Sequence, residues 1–144
     1  MRYLLPQPFE QLDHTADLGV AVEGATPEET LARLVLALGA LLAGGGPAEP
    51  GPEERVACAG GPDRAGSAVA LLRELLYRFA TARLLPASCR PLRIDAAGAE
   101  AAVGFARWDP ALHGEGVDVK AVTWHAARFE PAEGRWRAQV VLDV

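Results

Sequence analysis

Three places in this 144-residue sequence hold polar groups that could do chemistry: a corner with two aspartates, an apolar ending with one aspartate, and a stretch with a lone lysine. The first stretch is Asp13-His14-Thr15-Ala16-Asp17. On an extended chain Asp13, Thr15 and Asp17 share a face, because side chains alternate along a strand. Carboxylates at that density repel unless a cation, an arginine or a lysine neutralises them. Two readings fit: Asp and Thr oxygens bonding the local amides of a turn, or the same oxygens facing a metal ion. A lone His14 is more often a hydrogen-bonded structural residue than a ligand.

The second stretch is the apolar ending Val140-Val141-Leu142-Asp143-Val144. If it forms a central strand, Asp143 sits near the edge of the core, where an unpaired charge is costly. A hard cation taking oxygen from Asp17, Asp143 and either a backbone carbonyl or the terminal carboxylate of Val144, with water completing its shell, would neutralise it. The alternative is a frayed, exposed terminus. The third place is Asp118-Val119-Lys120-Ala121-Val122-Thr123-Trp124-His125, which holds the sequence's only lysine. Lys120 is either incidental or a point charge directed at a carboxylate or phosphate.

Standard catalytic sets do not occur. Ser67 lacks a nucleophile-elbow context, and Cys58 and Cys89 have neither metal-ligand spacing nor an evident activating base. They read as isolated, semi-buried thiols. His14, His113 and His125 with Asp17 could make a zinc site in principle, but no spacing supports it. Hydrolysis by two carboxylates stays open.

These residues need a scaffold. Residues 9–24 read as two strands around the acidic corner, Phe9 to Leu12 and then Leu18, Val20 and Val22 in alternation. Thr26-Pro27-Glu28-Glu29 opens a helix, with Thr26 as N-cap, Pro27 first in the helix and Glu29 completing a capping box. Leu31, Leu34, Val35, Leu38, Leu41 and Leu42 give it an apolar stripe. Gly44 to Pro52 is a Gly- and Pro-rich surface loop without the Lys-Ser/Thr of a phosphate loop.

Arg55 to Ala59 is a short strand. A second helix, capped by Asp63 or Ser67 and ending near Leu84-Leu85-Pro86, buries Val69, Leu72, Leu75, Leu76 and Phe79 and pairs Glu74 with Arg78 on its wet side. Strands then follow: Pro91 to Ala96 with Ala101 to Trp108 as a hairpin, Val117 to Phe129, and Trp136 to Val144 after a Glu133-Gly134 turn. Asp109 to Gly116 is a loop suited to partner contact. The expected architecture is α+β, a two-layer sandwich of two helices on a mostly antiparallel sheet, forming one domain over residues 1–144.

Half the residues are apolar and 23% are charged, which fits a globular protein. No apolar run is long enough to cross a bilayer, and residues 1–10 lack a signal-peptide pattern, so a cytoplasmic protein without membrane contact is expected. A net charge of −5 argues against direct nucleic-acid binding and suits docking on a basic protein.

Taken together, Asp13-His14-Thr15-Ala16-Asp17-Leu18-Gly19, Glu74-Leu75-Leu76-Tyr77, Val119-Lys120-Ala121-Val122-Thr123-Trp124-His125 and the ending Val140 to Val144 resemble the archease family in order and separation, over essentially the whole chain. The resemblance implies an accessory protein, not an enzyme, for a GTP-dependent RNA ligase that joins 3′-phosphate or cyclic-phosphate ends to 5′-hydroxyl ends in tRNA splicing and RNA repair. It implies promotion of the ligase's guanylylation and of repeated turnover, with RNA reached only through the ligase. The family's divalent cation, calcium or else magnesium or manganese, would carry over onto Asp17, Asp143 and Val144. Lys120 takes the family's basic position, and Asp13, His14, His125 and Glu74 are expected to support the metal or touch the partner. Two positions depart from the pattern: Trp124 replaces a usual Tyr, and the acidic residue usual after Tyr77 is missing. Two other functions remain as alternatives, a small metal-dependent phosphoester hydrolase and a chaperone-like interaction module.

Overall fold

A computed structural model describes residues 1–13, with Asp13 in its main chain alone, and 17–144. The strands are β1 (Tyr3–Leu4), β2 (Glu10–Asp13), β3 (Asp17–Gly24), β4 (Glu53–Ala59), β5 (Leu84–Asp95), β6 (Gly98–Arg107), β7 (Ala121–Ala132) and β8 (Arg135–Asp143). The helices are α1 (Pro27–Ala43), α2 (Arg64–Ala82) and the short α3 (Pro110–His113). The α+β class and the antiparallel pairing agree with the sequence reading. The strands, however, divide into two four-stranded sheets, ordered β1-β5-β6-β4 and β2-β3-β8-β7, where one sheet was expected.

The reason lies in α1. Arg33 is the only charged residue after its first turn, and Leu31, Leu34, Leu36, Leu38 and Leu42 are buried on every side. A helix apolar all round needs two apolar partners, and α1 packs on β5 of the first sheet and on β3 and β8 of the second. Each fully buried leucine contributes about 1.5–3 kcal/mol. Contact with β5 is so close that a Cβ on Gly39 would lie 2.0 Å from the carbonyl oxygen of Pro86. Helix α2 likewise touches both sheets, packing on β7 and on β4, β5 and β6.

The helix ends follow their sequence signals. Thr26 Oγ1 accepts from Glu29 N at 3.1 Å, and Glu29 Oε1 accepts from Ala25 N at 2.8 Å. Gly44 ends α1 in the left-handed region at φ 61. Of the two candidate caps for α2, Asp63 is the one used, accepting from Gly66 N at 2.8 Å.

Helix α2 stops at Ala82, earlier than expected, and β5 starts at once at Leu84, seven residues before the expected strand. Pro86 is accommodated because the register slips between Pro86 and Ser88, and again between Pro91 and Arg93. Strand β7 starts at Ala121, not Val117. The residues before it close the end of α1 instead, Val117 N donating to Leu41 O at 2.9 Å. Glu133 and Gly134, at φ 52 and 80, make the two-residue turn into β8.

Candidate functional site

Strand register gathers most of the suspected residues at one end of the second sheet. Asp17 opens β3 and Asp143 closes β8, and the two are direct cross-strand partners. On the other side of β8, Ala121 pairs with Asp143. Lys120, one residue earlier, donates its main-chain N–H to the carbonyl oxygen of Asp143 at 2.7 Å. Asp13 reaches the same end by pairing with Leu18.

Alternation fixes the face. The pairs Leu18–Leu142, Val20–Val140 and Val22–Ala138 point into the core. Asp17–Asp143 and Gly19–Val141 therefore point away from the helices, so the two carboxylates share the outer face. Asp17 is half-buried, while Asp143 and Val144 are exposed. Among the described residues neither carboxylate makes an ion pair. Like charges set directly opposite destabilise a sheet, so this arrangement has a cost that a cation would remove.

One member of this face had no sequence signal. Thr123 pairs with Val141, beside the acidic pair, and its buried Oγ1 has no hydrogen-bond partner among the described residues. Threonine is so common in strands that only the orphaned oxygen singles it out.

Other candidates lie elsewhere. His14 falls outside the described residues. His125 is exposed in the irregular stretch between the Thr123–Val141 and Arg128–Gln139 pairs, so the ladder does not carry it to the acidic pair. Glu74 bonds Arg78 at 3.0 Å, which also reaches Glu54 of β4 at 3.9 Å, on the first-sheet side of α2. His113 is buried and structural. Its Nδ1 accepts from Asp109 N at 2.9 Å, and its Nε2 donates to Pro47 O at 2.7 Å. It thereby pins the Gly- and Pro-rich loop to α3, and the 109–116 segment offers Leu112 as its exposed apolar group.

The cysteines are the reverse of activated nucleophiles. Burial pushes the Cys89 thiol up to about 12, and burial, reinforced by nearby Glu74, raises Cys58. Among the described residues no three His, Cys, Asp or Glu side chains converge as a metal cage. A cation at the sheet end would therefore need main-chain, hydroxyl or water oxygens besides Asp17 and Asp143. The donors present are all oxygen, the set that suits calcium, magnesium or manganese better than zinc. No helix among the described residues is long and apolar enough to cross a membrane.

Comparison with known proteins adds an independent line. A family model described as the archease protein family matches residues 9–144. An archease of Methanopyrus kandleri is 31% identical over 140 residues, covering 95% of this chain and 99% of its own. An archease of Methanosarcina acetivorans is 29% identical, covering 94% and 95%. The fold is similar to the solution structure of Methanobacterium thermoautotrophicum protein 1598, with a TM-score of 0.76, 24% identity, and coverage of 94% of this chain and 98% of that one. It is also similar to the crystal structure of a Thermotoga maritima archease described as a possible chaperone, with a TM-score of 0.62, 22% identity and 99% coverage of both chains.

Proposed function

The chain belongs to the archease family, and from that premise we propose that it is a cytoplasmic accessory protein whose acidic sheet end holds a divalent cation and activates a GTP-dependent RNA ligase. The observation that carries the reading is the direct cross-strand pairing of Asp17 with Asp143. Two chain segments 126 positions apart place carboxylates on one face, next to the only lysine, with no neutralising partner among the described residues.

Asp17 and Asp143 would supply charged oxygens, an oxygen of Val144 would add to them, and the orphaned Thr123 Oγ1 could bond a water of the shell. A bound cation would screen the phosphate charge that collects where a nucleotidyl group is transferred. Lys120, anchored through its main chain to Asp143, would direct its ammonium at a carboxylate or phosphate of the partner. The ligase would hold the body of the RNA, in keeping with this chain's net charge of −5.

The test is to mix the purified chain with ligase, GTP and a divalent metal and to follow labelled guanylate on the ligase. Asp17→Ala and Asp143→Ala should each abolish the stimulation while keeping a native melting transition. Full stimulation by both variants would refute the proposal, and phosphoester hydrolysis by the chain alone would favour an enzyme instead.

A further inference from the structure

Beside the acidic sheet end, α2 and β7 border a groove of ≈ 460 Å³ lined by Leu76 and Val122, both buried, and by Arg73, Tyr77 and Lys120, all exposed. We propose that this groove binds a nucleotide, with the base stacked on Tyr77 and the phosphate held by Arg73 and Lys120.

Three observations point to that ligand. Tyr77 is 63% exposed, a large aromatic ring presented to solvent on a helix whose valine and leucines are all buried. Base–aromatic stacking is a recurring use for such a ring, because every base has a π face. The charged groups lining the groove are both cations. Among the described residues neither Arg73 nor Lys120 makes an ion pair, although the chain as a whole is acidic. Arg73 is also pre-positioned. Its Nε donates to Val122 O at 2.9 Å and its guanidinium lies 5.2 Å from the Trp124 ring centre, which leaves both Nη groups for an anion. The groove volume falls in the range of about 300–1,000 Å³ usual for small-ligand sites.

This chemistry is shared by a free nucleotide and by the terminal nucleotide of an RNA strand carrying a 3′-phosphate. The proposal concerns the isolated chain and stands or falls independently of ligase activation.

The experiment titrates the purified protein, without ligase or metal, with GMP, guanosine, inorganic phosphate and a short oligoribonucleotide ending in a 3′-phosphate. Calorimetry gives the affinity, and Trp124, flanked by Arg73, gives a fluorescence signal. Saturable binding of GMP or the oligoribonucleotide is expected, at least tenfold tighter than guanosine or phosphate alone, and the tighter of the two identifies the source. Tyr77→Ala should weaken it about tenfold, the loss of one stack. Lys120→Ala should weaken it and flatten its salt dependence. Both residues are exposed, and an unchanged melting temperature verifies each variant's fold. Absence of saturable binding at millimolar concentration would overturn the proposal, as would binding indifferent to both substitutions or phosphate binding as well as GMP. Loss of ligase docking in Tyr77→Ala without any nucleotide binding would also overturn it, marking the groove as a protein contact.

Discussion

Replacing Asp143 with Asn should make the metal-free protein more stable, an unusual expectation for a residue proposed to be essential. Asp143 and Asp17 are direct cross-strand partners on the outer face of the second sheet. Such partners have Cα atoms about 4.5–5.5 Å apart, so two carboxylates there interact at roughly 5 Å. Coulomb repulsion at that distance is roughly 0.8 kcal/mol in water and about 3 kcal/mol at an effective dielectric of 20. Because Asp143 is exposed, the lower end applies, about 1 kcal/mol.

The unfolding entropy of a chain of 144 residues is about 0.3 kcal/mol/K, so Asp143→Asn should raise Tm by about 3 °C. The assay is a calorimetric melt in chelator, at low salt and again at 1 M salt, where the screening length falls to about 3 Å and most of the gain should vanish. A lower Tm for Asp143→Asn, or a gain unaffected by salt, would refute the reasoning, since either would mean that the two carboxylates do not face each other.

Two further outcomes test the packing around the site. His113→Ala leaves Asp109 N and Pro47 O without their partner and should cost about 2–4 kcal/mol in denaturant unfolding, with faster amide exchange in residues 44–52. Cys89 should give an alkaline limit. Its thiol ionises at the ordinary 9.0 when unfolded and only at about 12 when folded, so the folded state keeps a proton that the unfolded chain has lost. Its contribution is complete below pH 9 and should fall by about 1.4 kcal/mol per pH unit above it. Urea midpoints of the wild type and Cys89→Ala should therefore converge between pH 9 and 11, and a constant difference would contradict the burial of the thiol.

The elements with local signals were legible in the sequence. Thr26, Asp63, Gly44 and the Glu133-Gly134 turn each carry their own geometry, and the structure uses each one. The division into two sheets was harder to read, yet a signal existed. Leu36 and Ala37 lie off the stripe of Leu31, Leu34, Leu38 and Leu41, and a helix apolar on both sides cannot rest on one sheet alone. The end of α2 carries no glycine signal, because its C-cap is Arg83 in the left-handed region at φ 55, and the early start of β5 is hidden by Pro86 and Pro91, which bulges accommodate inside the strand. A cation shared by Asp17 and Asp143 follows from the cost of an unpaired charge at the chain end as well as from the family likeness, but their direct cross-strand pairing does not. Cross-strand register depends on contacts between distant segments, which no local pattern encodes. Thr123 and the α2–β7 groove were invisible for the same reason.

The most direct measurement is a calorimetric titration of calcium into the chelator-stripped protein and into Asp17→Asn and Asp143→Asn, backed by melting curves. One ion per chain should bind the wild type and raise Tm by about 9 °C at a hundredfold excess over Kd, with both signals lost in each variant. Calcium bound by both variants as well as by the wild type, or no binding by the wild type of calcium or of magnesium or manganese titrated in its place, would contradict a cation shared between Asp17 and Asp143.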